Sequence, residues 1–368
     1  MVLAALQRLG SVSVTELMER TGLSELQVRS AVAGLARRGL VNEAQHVSID
    51  PRAGVVVAID VGGSHMAGAV VDLAARILAR VDVVGPPGPG GQAVVDLASR
   101  LVERVGLAGC RLLGVGVSCA GVVDDQGLVV AASNLQWHRL PLGDMLRERL
   151  GTAVVVENDT NAAALGEYYF GAGPGRGDIL YIGVGTGVGA GIVVRGEILR
   201  GSRNAAGEIG HTRVVENGSL CACGRRGCLE TVASGRGIVE RTVEFLAAGE
   251  PSVLRELLVT SRRPLSAQDV AVAAATGDAL AQRMLASAAG WLGTTAGNLG
   301  NVLNPARIVI GGGVSLSGPG FLAAVERTAR EVLLEVQNAS VTFAAAELGS
   351  DSGILGATAL VMDAVLRD

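Results

Sequence analysis

The chain has 368 residues, 49% apolar and only 18% charged; that is enough for two domains and a small third, and too rich in core-forming side chains to be disordered. A formal charge of -4 gives no global attraction to nucleic acid or a membrane surface, and an aromatic content of 2% leaves little for stacking platforms. No lysine occurs, which excludes a Walker-type phosphate loop, a protein-kinase site and Schiff-base chemistry; any phosphate handling falls to backbone amides, metal and arginine.

Residues 1–50 have the layout of a winged helix-turn-helix. Val2, Leu3, Leu6 and Leu9 follow helical spacing. Ser13 with Glu16 and Ser24 with Gln27 form two capping-box patterns, each opening a helix. In the second of these helices Val28, Val32 and Leu35 face inward. Gln27, Arg29, Ser30 and Ala33 then face out as in a recognition helix, with Arg37 further along, and Leu40 to Ile49 forms the wing. Charge argues the other way. Arg8, Arg20, Arg29, Arg37 and Arg38 are matched by Glu16, Glu19, Glu25, Glu43 and Asp50, so the basic footprint of a DNA binder is missing and a relic or dimerisation module remains an equal alternative.

After a linker at Pro51 to Gly54, Val55 to Ile59 is a buried strand that ends in Asp60. Gly62 and Gly63 turn the chain, and Met66 to Val71 returns. Such a hairpin lets the amides of Gly62, Gly63 and Ser64 approach phosphate oxygens, with Asp60 placed to hold a magnesium-bound water, although glycine hairpins are common. Gly85 to Gly91 is a flexible loop. The strand Val154 to Val156 runs into Asn158 and Asp159 ahead of a helix, where open α/β sheets bind ligands; an aspartate there also serves as a helix cap. Leu180 to Val184 leads into Gly185, Thr186 and Gly187, and Ile192 to Val194 continues as strand. The dinucleotide-fold context therefore fails, and a second phosphate hairpin is the better reading, with the fold duplicated. The triplet Gly311, Gly312 and Gly313 after another strand lets a base and ribose lie on backbone.

Cys221, Cys223 and Cys228 lie within eight residues, with His211 upstream: a Cys3His set suited to closed tetrahedral zinc. Three buried thiols in a glycine-rich turn is the alternative. Glu208 and Glu230 flank the ligands, where a pinned loop would hold both carboxylates for a polyhydroxylated ligand. Cys110 and Cys119 have apolar neighbours that suit buried thiols. The cysteine usage fits a reducing compartment, MVLAALQRLG is too short and interrupted for a signal peptide, and no run approaches a membrane span; a cytoplasmic protein without membrane contact is expected.

Taken together, GTGVGAGIVVRGEILRGSRNAAGEIGH, CACGRRGCLE, VENDTNAAALGE, AIDVGGS, IGGGV and SNLQWHRLPL resemble the signature, zinc, catalytic, ATP and sugar-proximal motifs of the ROK family of repressors and sugar kinases. The N-terminal helices are similar to those of its repressor branch. The resemblance implies an α/β, actin-like ATPase (RNase H-like) two-lobed fold preceded by a small α-rich winged-helix domain. Its domains would be residues 1–50, residues 54–160 plus 350–368, and residues 161–349 with the zinc loop. It further implies Asp159 as general base, and Asn158, Glu208, His211 and Glu230 on sugar hydroxyls. Asp60 with the glycine turns would bind ATP and Mg2+, and His211, Cys221, Cys223 and Cys228 would bind structural Zn2+. The implied partners are a sugar or cyclitol, operator DNA in the regulator alternative, and further copies in a homodimer or homotetramer. Two departures stand out: Ser64 where threonine is usual, and Ser118-Cys119-Ala120 in place of a proline-containing loop.

Overall fold

The computed structural model describes residues 2–50, 52–63, 65–172, 177–261 and 263–367. The chain divides into two compact units, residues 1–177 with 193–206 and 347–368, and residues 178–192 with 207–346.

The first unit opens with helices Val2–Leu9, Val14–Thr21 and Glu25–Arg37, followed by the antiparallel pair Val41–Glu43 and Val47–Ile49. Both capping boxes form. Glu16 accepts from the Ser13 amide at 2.8 Å, and Gln27 from the Ser24 amide at 2.9 Å. The second helix ends at Gly22, whose φ of 72° favours a residue free of a Cβ. Leu3, Leu6, Leu17, Val28, Val32 and Leu40 bury into one core with Met362 of the C-terminal helix Ser352–Arg367. Arg38 donates to the Val365 carbonyl of that helix.

The sheet of this unit has the order Val154–Asn158, Leu112–Cys119, Val55–Val61, His65–Asp72, Ile77–Val84. Its first three strands are parallel and the last two antiparallel. The central strand Val55–Val61 is buried almost throughout, while the edge strand Ile77–Val84 alternates, as strands covered on two faces and one face should. Side chains alternate across the sheet. Val57, Ile59 and Val61 pack with Leu97 and Leu101 of helix Gln92–Leu107, and Ala58 packs with Ile354 and Ala357 of the C-terminal helix. The expected loop at Gly85 to Gly91 ends in a short 3-10 turn, Pro89–Gly91, directly ahead of that first helix.

The C-terminal helix approaches the sheet so closely that a Cβ at Gly116 would lie 2.0 Å from the Ala357 carbonyl oxygen. Backbone cannot yield as a flexible side chain can. Gly116→Ala is therefore expected to cost about 3 kcal/mol, the upper part of the overpacking range, read as a lower urea midpoint with unchanged slope.

The second unit is built on the strands Val188–Val194, Ile179–Val184, Arg307–Gly311 and Thr342–Ala345, hydrogen-bonded in that order. The 25-residue helix Ala279–Leu303 presents Gly293, Gly297 and Gly300 to Thr328, Val332 and Leu333, so small residues let two chain segments meet at backbone distance. Among the described residues no helix is long and apolar enough to cross a membrane.

Candidate functional site

In the first unit the site is assembled where parallel strands end. Asp60 lies near the end of Val55–Val61, and its Oδ1 accepts from the Ser118 hydroxyl at 3.0 Å. His65 Nε2 stands 3.6 Å from Asp60 Oδ2, and the carboxylate raises the imidazole above its ordinary pKa. Gly353 backs onto the same carboxylate; a Cβ there would come within 2.2 Å of it. The Gly62 amide donates to the His65 carbonyl, and Gly63 faces Asn134. Ser64 lies outside the described residues.

Asn158, not Asp159, caps the helix Asp159–Phe170: its side-chain oxygen accepts from the amides of Thr160 and Asn161 at 2.9 and 3.0 Å. Asp159 is thereby released from the capping duty that an aspartate at this place often has. Its Oδ1 accepts from the Thr160 amide, the Asn158 side chain and the Thr160 hydroxyl, at 2.8, 3.0 and 3.2 Å. Its Oδ2 accepts nothing from the described residues. Burial, reinforced by the charge of Asp60, pushes the Asp159 carboxyl up; the bonds from Thr160 and Asn158 pull the other way without cancelling it. The site thus holds a half-buried carboxyl with one oxygen tethered and one spare.

Two residues that brace this loop were not singled out by motif. Glu157 is 4% exposed and accepts from the Asn158 amide, the Asn161 side chain and Arg200 Nε at 2.9, 3.1 and 2.7 Å. Only the Glu of VENDTNAAALGE hinted at the first, and nothing local pointed to Arg200. Of the two cysteines expected in the core, Cys119 is buried, and that burial holds it as a neutral thiol. Cys110 is exposed, because it follows the end of helix Gln92–Leu107 and lies outside the apolar layer.

In the second unit Gly207 fixes the loop. Its carbonyl accepts from the Ala190 amide at 2.8 Å, and at φ 90° a Cβ would fall 1.9 Å from the Ala190 oxygen. Gly224 and Gly227 also adopt positive φ, folding the cysteine segment back on itself. The ligand atoms of His211, Cys221, Cys223 and Cys228 all lie within 4.8 Å of one another. Cys223 and Cys228 sulfurs are 3.7 Å apart, and His211 Nδ1 is 3.5 Å from the Cys221 sulfur. Tetrahedral zinc with Zn–S of about 2.3 Å requires S···S of about 3.8 Å, so donor type and spacing both fit the metal. Glu230, 11% exposed at its side chain, accepts from the Cys221 thiol at 2.9 Å and lies 3.8 Å from His211 Nδ1; Glu208 lies 3.8 Å from His211 Nε2. His211 therefore sits between the two acids expected to bind a sugar.

The same unit holds a cavity of about 770 Å³ walled by Gly185, Thr186, Arg236, Glu240, Gln268 and Gly313, among others. Gly187 turns toward Glu230, where a Cβ would be 3.2 Å from the carboxylate. Gly311 and Gly312 pack behind, against the Tyr181 hydroxyl and the Val184 backbone. On the N-terminal module Gln27, Arg29, Ser30 and Arg37 are exposed, and Glu25 holds Arg29 at 2.8 Å.

Comparison with known proteins gives this geometry a lineage. The family model described as ROK family matches residues 56–364. The chain belongs to the ROK family. A glucokinase from Halalkalibacterium halodurans is 42% identical over 68% of this chain and 76% of its own. Among solved structures, a ROK family transcriptional regulator described as a homolog of E. coli MLC protein matches 99% of this chain and 95% of its own, with a TM-score of 0.81 and 26% identity. A ROK family glucokinase from Streptomyces griseus, in complex with glucose and AMPPNP, matches 84% of this chain and all of its own, with a TM-score of 0.71 and 35% identity. This ROK protein thus has the actin-like ATPase fold shared by kinases and regulators of the family, and its relatives are of both kinds.

Proposed function

We propose that this ROK protein is an ATP-dependent sugar kinase that phosphorylates a hydroxyl of a sugar, amino sugar or cyclitol. The observation that carries the reading is Asp159: a half-buried carboxyl, raised in pKa, with Oδ1 tethered and Oδ2 spare. A protein that only bound sugar would need carboxylates for hydroxyls, as Glu208 and Glu230 are assigned here, but not a proton acceptor for an attacking oxygen. Asp159 Oδ2 takes the proton from the attacking hydroxyl, and Asn158 and Glu157 hold the carboxyl in place. Asn158, Glu208, His211 and Glu230 are the side chains assigned to sugar hydroxyls. The turns at Gly62, Gly63 and Ser64, at Gly185, Thr186 and Gly187, and at Gly311, Gly312 and Gly313 are assigned to ATP. Asp60 would hold Mg2+, which when bound neutralises phosphate charge. His211, Cys221, Cys223 and Cys228 would hold zinc, which supplies rigidity to the loop carrying Glu208 and Glu230. The relatives that are glucokinases support the reaction class.

The second reading, a sugar-responsive regulator, is favoured by the solved regulator that matches nearly the whole chain, residues 1–50 included. On it those residues form a winged helix-turn-helix that lays Gln27, Arg29, Ser30 and Arg37 on DNA. Glu25 already neutralises Arg29, which weighs against this.

The deciding experiment offers ATP, magnesium and a panel of hexoses, amino sugars and cyclitols to the purified protein and follows ADP. Release with at least one member is expected. Silence across the panel, with salt-sensitive binding to the DNA upstream of its own gene, would reverse the order of the two readings.

A further inference from the structure

Arg236 is the only cation among the described residues that wall the 770 Å³ cavity, in a chain that has no lysine to offer. Its position is set by the glycine turn itself. The Gly235 amide donates to the Gly185 carbonyl at 2.8 Å, and even a Cβ at Gly235 would crowd that oxygen at 3.0 Å. Arg236, the next residue, is therefore fixed beside Thr186 at the start of helix Gly235–Ala247. Its guanidinium lies between two acids without closing a short bond to either. Nη2 is 3.6 Å from Glu230 Oε1, and Nε is 3.7 Å from Glu240 Oε1. At 41% exposure the side chain is open to solvent and to the cavity that it walls. Glu230 in turn meets the Cys221 thiol and His211.

We propose that Arg236 is the cation that takes the phosphates of the nucleotide, and that it leaves Glu230 to do so. This rests on the kinase reading and deepens it. Guanidinium is permanently charged, and its planar fork matches phosphate oxygens, which two carboxylates at 3.6 and 3.7 Å hold only loosely. Once Arg236 turns to phosphate, Glu230 loses one partner and the side of its carboxylate that faced Arg236 opens to a sugar hydroxyl, while Oε1 keeps its bond from the Cys221 thiol. Nucleotide and sugar affinities are then linked, and each must raise the other by the same factor.

The test is calorimetric titration of wild type, Arg236→Gln and Arg236→Lys with AMPPNP and, separately, with adenosine, which lacks phosphates. The Gln variant should bind AMPPNP at least tenfold more weakly and adenosine within twofold of wild type. The Lys variant should recover part of the loss, since it restores the charge without the fork. Glucose, or whichever panel sugar binds, should tighten with AMPPNP present in wild type and lose that gain in Arg236→Gln. Equal weakening of both ligands, or an unchanged AMPPNP affinity in the Gln variant, overturns the assignment to phosphate. If wild type itself binds neither nucleotide nor nucleoside, the kinase reading falls and takes this inference with it; the two failures are thereby told apart.

Discussion

Asp159→Asn is expected to abolish turnover while leaving sugar binding nearly intact. An amide can keep the Oδ1 contacts with Thr160 and Asn158, which donate to oxygen, but it cannot accept a proton at the second position. The loss should be about 10²–10⁴-fold in kcat, the usual worth of a general base, with sugar affinity changed only a few-fold. The fold should not suffer. Burial raises the Asp159 carboxyl, so folding disfavours its charged form. The stability this group contributes is complete below its unfolded pKa and declines as pH rises toward the folded one. A neutral amide removes that decline, and the variant should melt no lower than wild type at neutral pH. The same shift predicts the acid limb of the pH profile. Wild-type kcat/KM should fall with unit slope as pH drops through the raised pKa, at a higher pH than an ordinary aspartate near 3.9 would give. Retained turnover in Asp159→Asn, or an acid limb that it shares with wild type, removes Asp159 from the role of base.

Cys223→Ser is expected to have the next largest effect. Cys223 is exposed, so its replacement opens no hole in a core, and any damage reports lost ligation. Wild type should carry one zinc per chain. The variant should carry far less, and its KM for sugar should rise by about tenfold or more while the adenosine affinity stays. Structural zinc contributes about 10–16 kcal/mol to folding in small peptides, so a strong chelator should also lower the melting temperature. The reason is local. The segment from Gly207 to Glu230 is largely exposed and made of turns, with little apolar burial besides Ile209, Cys221, Cys228 and Leu229. Protein that purifies without zinc, or a Cys223→Ser variant with unaltered sugar KM, would remove the metal from the account.

What could be read from the sequence was what is local in it. The two capping boxes span four residues each, the cysteine cluster eight, and the buried strand Val55–Val61 is a run of apolar residues broken only by Asp60, with its pairing partner one turn later. Each carries its own physical signal. The cap at Asn158 was not legible, since Asn and Asp compete for that place on equal terms and the outcome turns on backbone angles. The Glu157–Arg200 bond joins residues 43 apart, and the approach of Gly353 to Asp60 joins residues nearly 300 apart; neither spacing carries a period. Cys110 misled because sequence neighbours are not spatial ones once a helix has ended.

The C-terminal helix touches the chain's chemistry at one end and its N-terminal module at the other. Gly353 lies against the Asp60 carboxylate, and Met362 is built into the core of the three opening helices. Nine residues of helix make a strut of about 14 Å. A larger residue at position 353 either turns the Asp60 carboxylate aside or shifts the helix, and a shift of the helix is felt where Leu3, Leu6 and Leu40 are packed. The opening helices are accordingly not a detachable head. Cut away from residues 347–368, they would lose part of their own interior.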